Sequence, residues 1–238
     1  MNTKKHFLTA AATTAIVGIA SVAPAQAASF GTGGISFDKD TTVDFEFTQS
    51  YGRYRTDLRI YEVKDGGIFS DLGTLFKEVK AADVVGANGA PTSDPLGTVG
   101  NAVVDYQASF TFEADKEYAL GIVNYGYWQN NPNATPFGGI FYSTSSLNTG
   151  GTQQAVFGSS GGEELFEFTD ASLFQEGNPF AGWVDISFDD AGNNNDKDFQ
   201  DFTLKAKAVS TPEPTVLLGL GVVASGMFLT RRNKSKAS

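Results

Sequence analysis

The densest group of chemically useful side chains lies in an acidic stretch near the end of the chain. Carboxylates and amides crowd within thirteen residues, among them Asp189, Asp190, Asn193, Asn194, Asp196, Asp198 and Asp201. Oxygen atoms of this kind suit Ca²⁺, which takes about six to eight hard oxygen ligands in flexible geometry. Carboxylates this close together also repel one another unless a cation or strong hydrogen bonds offset the repulsion. The stretch therefore predicts a calcium site.

The spacing excludes an EF-hand loop. Asp198 is followed by Phe199 where that loop needs a glycine, and no Glu closes it. Asp and Asn also satisfy turn backbones with their own side chains, so a solvated turn would account for the same residues without a metal. Both interpretations stay open, and the predicted ligands are Asp189, Asp190, Asn194, Asp196, Asp198 and Asp201.

A second candidate is the aromatic and amide-rich stretch Asn124–Asn131, which is expected to form a loop. Tyr125, Tyr127 and Trp128 could stack on sugar rings while the amides bond to hydroxyls. The same aromatics could instead fill the core, with the Asn residues forming the turn. The adjacent Glu163 and Glu164 do not make a glycosidase pair, because neighbouring strand residues point to opposite faces.

Cysteine and histidine usage removes several kinds of catalysis. The chain has no Cys, and its single His is His6. Residues 28–210 therefore cannot contain a disulfide, a zinc-thiolate site, a Ser-His-Asp triad or a histidine general base. Carboxylate pairs, Ser-Lys arrangements and hard-metal chemistry remain, and no catalytic residue is predicted.

The elements that must position these residues are short alternating apolar runs broken by Gly, Asn and Asp, a pattern typical of strands joined by turns. Val43, Phe45 and Phe47 alternate with acidic residues, and Leu58 and Ile60 alternate with Asp57 and Arg59. Further strands are predicted at Val104–Phe112, Tyr118–Asn124, Gly139–Tyr142, Gln154–Phe157, Glu164–Phe168, Gly182–Phe188 and Phe202–Ala208. About nine strands predict an all-β fold, an antiparallel, jelly-roll-like β-sandwich with Phe filling the space between its sheets.

Helix is expected in two places only. Leu72, Leu75, Phe76 and Val79 lie at helical spacing within Ser70–Val84, and a second short helix is expected at Ala171–Phe174. The stretch Gly86–Gly100 is rich in Gly, Pro, Asn and Ser, which predicts a long surface loop.

The first 27 residues have the pattern of a secretory signal peptide. Lys4 and Lys5 precede a neutral run rich in Ala and Val, and the run ends on a small-residue motif with Ala25 and Ala27. Cleavage is expected between Ala27 and Ala28, with the Sec translocon and signal peptidase as partners.

The exported part, residues 28–210, is predicted to be one strongly acidic domain. It carries 11 Lys and Arg against 26 Asp and Glu, a net charge of about −15. This charge argues against nucleic-acid binding, which needs clustered basic side chains, and favours solubility and cation binding.

Residues 211–238 combine three features in order. Pro212-Glu213-Pro214 imposes an extended linker, the apolar run Thr215–Thr230 would span only ~24 Å as a helix, and a basic tail begins with Arg231 and Arg232. The run is short for a hydrocarbon core of ~30 Å, so a marginal anchor with the tail in the cytoplasm is expected.

This ending resembles the PEP-CTERM sorting signal of Gram-negative bacteria. The resemblance implies that Pro212, Glu213 and Pro214 form the recognition motif for an exosortase, a transpeptidase-like membrane protease, and that Arg231 and Arg232 are stop-transfer charges. It also implies an association with exopolysaccharide or biofilm production.

The acidic stretch resembles the end of a bacterial surface domain of unknown function, which closes in a strand-turn-strand with an Asp-x-Asp-aromatic-Asn-Asp core. Gln200 stands where that core carries Asn. The resemblance implies a structural or adhesive role, with no catalytic residues to carry over.

These observations together predict a non-enzymatic protein of the cell envelope or extracellular matrix, transiently anchored in the inner membrane, with a structural or adhesive role and calcium as its candidate cofactor. A carbohydrate-binding module acting on exopolysaccharide is the alternative, and a carboxylate-dependent hydrolase is the third reading.

Overall fold

The computed structural model describes residues 28–51, 54–79, 97–125, 139–158, 171–190 and 199–209. Within these ranges the chain is all-β, and its helical residues are confined to 3₁₀ turns at Ser145–Leu147, Thr149–Gly151 and Ala171–Leu173. None of the helices in this described part is long and apolar enough to traverse a lipid bilayer. The strands are β1 (Ala28–Gly31), β2 (Gly34–Phe37), β3 (Thr41–Ser50), β4 (Arg55–Lys64), β5 (Gly67–Lys77), β6 (Gly97–Thr98), β7 (Gln107–Phe112), β8 (Glu117–Tyr125), β9 (Gly139–Tyr142), β10 (Ala155–Phe157), β11 (Val184–Phe188) and β12 (Phe202–Ala208).

The strands form two antiparallel sheets, called sheet A and sheet B below. Sheet A has the order β1-β2-β8-β4-β5, and β9 also pairs with β8. Sheet B has the order β10-β11-β12-β3-β6, and β7 also pairs with β3. β6 and β7 pair with different parts of β3, because β6 pairs with Gln49 and Ser50 while β7 pairs with residues 41–46.

The hydrophobic core lies between the two sheets, as expected for a β-sandwich. In β3 the buried Val43, Phe45 and Phe47 alternate with acidic residues that are only partly buried. Aromatic rings from the two sheets meet in this layer: Phe30 and Phe157 have ring centroids 5.6 Å apart, and Phe112 and Tyr118 are 5.0 Å apart. The period-two pattern and the Phe-rich filling predicted from the sequence are confirmed.

The helix predicted at Ser70–Val84 is wrong over residues 70–77, which belong to β5. β5 pairs with β4 through three register shifts. Each shift sets an extra residue against its partner and breaks the alternation of inward and outward side chains. As a result Leu72 is 40% exposed while Phe76 is 1% exposed, and the apolar residues fall at helix-like spacing without a helix.

The other predicted elements differ in smaller ways. The short helix expected at Ala171–Phe174 is a 3₁₀ turn over Ala171–Leu173. Part of the loop expected at Gly86–Gly100 forms β6, and the β1–β2 hairpin was not predicted. The strand predicted at Glu164–Phe168 lies outside the described residues.

Candidate metal centre

Three acidic side chains converge where β11 ends and β12 begins. Phe188 at the end of β11 pairs with Phe202 at the start of β12. Asp189 and Asp190 follow the first strand and Asp201 precedes the second, so antiparallel pairing sets them side by side. One carboxylate oxygen from each of the three lies within 4.8 Å of those of the other two.

Bringing the three carboxylates together costs free energy in the folded state because they are buried. Asp189 is 0% exposed, Asp190 3% and Asp201 8%. Two ionised carboxylates 4.8 Å apart repel by about 3–4 kcal/mol at an effective dielectric constant of about 20. A divalent cation between these oxygens would reverse the sign of the interaction, and carboxylate oxygens are the ligands that Ca²⁺ prefers.

Backbone hydrogen bonds hold the three residues in place. The amide of Asp190 donates to Oδ2 of Asp201 at 2.6 Å, and the amide of Asp201 donates to the carbonyl of Phe188 at 3.1 Å. The amide of Asp189 donates to the carbonyl of Gln154 at 3.1 Å. The carboxylates are therefore positioned by the strand ends themselves.

The return of the chain toward β12 passes through a strained residue. Phe199 has a φ of 39°, a left-handed conformation that favours glycine, and its side chain is 0% exposed. Burial of the aromatic ring offsets the backbone cost and holds the chain just before Asp201.

Asn124 connects this cluster to a second buried carboxylate. Its Nδ2 donates to the carbonyl of Asp190 at 3.2 Å, and its Oδ1 accepts from Oγ1 of Thr56 at 3.0 Å. The amide of Thr56 in turn donates to Oε2 of Glu78 at 2.7 Å, and Ser50 Oγ donates to Oε1 of the same carboxylate. Glu78 therefore has a protein donor at each oxygen and anchors the chain after β5.

The structure brings together three of the six predicted metal ligands. The other three, Asn194, Asp196 and Asp198, lie outside the described residues, as do Ala25, Ala27 and the sorting residues Pro212, Glu213, Pro214, Arg231 and Arg232. Ala28 is the exposed first residue of β1 and pairs with Phe37.

The aromatic candidate is only partly described. β8 confirms the strand predicted at Tyr118–Asn124 and continues through Tyr125, so Asn124 and Tyr125 do not begin a loop. Tyr125 is 6% exposed, and the guanidinium of Arg55 lies 4.5 Å from its ring centroid, so its ring is not presented to solvent as a platform for a sugar. Tyr127 and Trp128 lie outside the described residues.

Asn124 of β8 and Glu78, which follows β5, support the site, and sequence reasoning did not place them there. Asn124 was grouped with the aromatic stretch because amides follow it in the chain. Only the pairing of β8 with β4 reveals its position beside Thr56.

The described residues form an all-β protein with two antiparallel sheets, and a buried acidic cluster lies at the end of sheet B. Comparison with protein-family models, with curated proteins and with solved structures finds no match.

Proposed function

We propose that this protein is an exported, non-enzymatic component of the cell envelope or extracellular matrix with a structural or adhesive role, and that Ca²⁺ bound between β11 and β12 stabilises its domain. The observation that carries the calcium part is the convergence of the buried Asp189, Asp190 and Asp201 within 4.8 Å. Calcium sites of extracellular modules have dissociation constants of about 10⁻⁴–10⁻³ M, in keeping with an exported protein.

The three carboxylates would supply part of the about six to eight oxygens that Ca²⁺ requires. The predicted ligands Asn194, Asp196 and Asp198 stand in the segment between Asp190 and Asp201, and we propose that they supply others. Because the ion would join the last two strands of sheet B, binding would stabilise the folded state.

Export and sorting rest on the sequence. The signal-peptide pattern of residues 1–27 and the PEP-type ending of residues 211–238 support delivery across the inner membrane and processing by an exosortase.

A jelly-roll-like connection of the strands is the finer fold assignment within the same proposal. The lack of Cys and of His after His6 supports a role without catalysis.

Thermal unfolding of the full chain tests the calcium proposal. A ligand that binds only the folded state stabilises it by about 2.7 kcal/mol at a hundredfold excess over its dissociation constant. We expect millimolar Ca²⁺ to raise the Tm relative to a sample treated with chelator.

The double variant Asp189→Asn/Asp190→Asn keeps the shape of both side chains and removes two charges. It should unfold at a higher temperature than the unsubstituted protein in chelator, because the repulsion is relieved, and it should no longer respond to Ca²⁺. Glu113→Gln, at an exposed position, is the matched control and should keep the full response. If Ca²⁺ leaves the Tm of the unsubstituted protein unchanged, the calcium proposal is wrong and the cluster has a structural role without a metal.

A further inference from the structure

A cleft of about 380 Å³ opens on the outer face of sheet B, away from the acidic cluster. Its volume falls within the range of about 300–1,000 Å³ found for small-molecule sites. Side chains of three neighbouring elements line it: Asp44 and Glu46 of β3, Gln107 and Ser109 of β7, and Trp183 just before β11.

Trp183 is the aromatic wall of the cleft. It is 45% exposed, whereas most of the other large aromatics in the described residues are buried in the core. Nζ of Lys205 lies 5.0 Å from the centroid of the indole and 2.9 Å from Oε1 of Glu46. The ion pair and the cation–π contact hold the indole and the carboxylate in one arrangement.

The polar wall presents oriented hydrogen-bonding groups. Ser109 Oγ donates to Oδ1 of Asp44 at 2.6 Å, and Gln107 Nε2 donates to Oε2 of Glu46 at 3.4 Å. Residues 44 and 46 of β3 pair directly with residues 109 and 107 of β7, so the sheet fixes their spacing. A carboxylate accepts at about four positions, which leaves acceptor capacity for a ligand.

We infer that this cleft binds a neutral carbohydrate chain, with a sugar ring stacked on Trp183 and its hydroxyls donating to Asp44 and Glu46. An exposed indole offers the flat apolar surface that the C–H face of a pyranose contacts, and carboxylates and amides are the partners of its hydroxyls. The site and its ligand class go beyond the proposed function and do not depend on calcium.

The negative charge of the cleft disfavours anionic ligands. Two carboxylates, Asp44 and Glu46, line the cleft, and the nearby Lys205 is paired with Glu46. The domain has a net charge of about −15. Phosphate-bearing or uronate-rich polymers would be repelled at this surface. A neutral polysaccharide avoids this repulsion and still satisfies the hydroxyl-binding groups.

Native gel electrophoresis of the full chain through immobilised polysaccharide tests the inference. The probes are xylan, galactomannan and mixed-linkage β-glucan as neutral polymers, and polygalacturonate as an acidic one. We expect retardation by at least one neutral polymer and none by polygalacturonate. Trp183→Ala should weaken retardation at least tenfold, Trp183→Tyr should retain part of it, and Phe69→Ala, at an exposed aromatic on sheet A, should leave it unchanged.

A second measurement uses the fact that the chain has two Trp residues. In the Trp128→Phe variant the fluorescence of Trp183 reports the cleft alone, and it should change on binding. Three results would overturn the inference: no retardation by any neutral polymer, retardation that Trp183→Ala leaves intact, or loss of binding in Trp128→Phe. The last would place binding in the aromatic stretch predicted from the sequence. All of these outcomes are independent of the calcium response.

Discussion

Three buried polar side chains share the outer face of sheet A. Arg55 is 7% exposed, Asp57 3% and Tyr125 6%. Nε and Nη2 of Arg55 and Oδ1 of Asp57 are buried without a hydrogen-bond partner. Burial raises the pKa of Asp57, and the nearby Arg55 and Lys77 oppose that shift only in part. The ionised carboxylate of Asp57 is therefore a cost to the folded state at neutral pH.

The pH dependence of stability should reveal this cost. Because the pKa of Asp57 is higher in the folded than in the unfolded state, its contribution to the free energy of unfolding is full below about pH 3.8 and is lost as the pH rises through the folded-state pKa. Asp57→Asn removes this titration. The stability of Asp57→Asn relative to the unsubstituted protein should therefore increase from acidic to neutral pH, as measured by urea unfolding at several pH values.

The matched control is Asp38→Asn, at an exposed position of the β2–β3 connection. It reports the effect of an Asp→Asn substitution at an exposed position. A difference for Asp57→Asn that stays constant across the acid range would show that Asp57 ionises as easily in the folded protein as in the unfolded chain.

At the scale of elements, β1 is fixed by the segment before β11. The amide of Thr32 donates to the carbonyl of Gln175 at 2.8 Å, and the amide of Gly177 donates to the carbonyl of Phe30 at 2.9 Å. A Cβ atom on Gly31 would lie 2.1 Å from the carbonyl oxygen of Gln175. This close approach of two backbones requires glycine at position 31.

Gly31→Ala should therefore destabilise the protein by about 1–3 kcal/mol, the usual cost of overpacking. Gly67→Ala is the matched control in β5, since the nearest atom to its added Cβ is 3.9 Å away, and it should change stability by about 0.5 kcal/mol or less. Chemical unfolding of both variants measures the difference. Equal stabilities would show that the 175–177 segment moves aside without cost.

The alternation of apolar and polar residues made most strands predictable. β3, β7 and β12 follow it closely because each has one face in the core and one in solvent. β5 was missed because its register shifts interrupt that alternation. The β1–β2 hairpin, with strands of four residues each, was not predicted.

The two sites were predictable to different degrees. Asp189, Asp190 and Asp201 are close in sequence and flank two strand ends, so the acidic cluster was visible in the chain. The cleft beside Trp183 was not predicted. Its residues are drawn from positions 44 to 183, and they meet only through the register of β3 with β7 and β12, which a single sequence does not specify.

At the scale of the whole molecule, the proposed export and processing make a direct prediction about the mature chain. Ala28 is the first residue of β1, so cleavage after Ala27 would leave the β1–β2 hairpin intact. Mass spectrometry of the surface-exposed protein, from a strain with an active exosortase, should find an N-terminus at Ala28 and no Thr215–Ser238. Retention of Thr215–Ser238 would show that this segment is an ordinary membrane anchor.

The pairing of β3 with β12 has a consequence for the timing of folding. It joins residues 43–49 to residues 203–208, so partners such as Gln49 and Thr203 lie 154 positions apart. Sheet B cannot close until nearly the whole domain has been synthesised, and closing so long a loop costs entropy before the pairing compensates it. A chain with this topology completes sheet B late, and until β12 is available β3 lacks one of its partners.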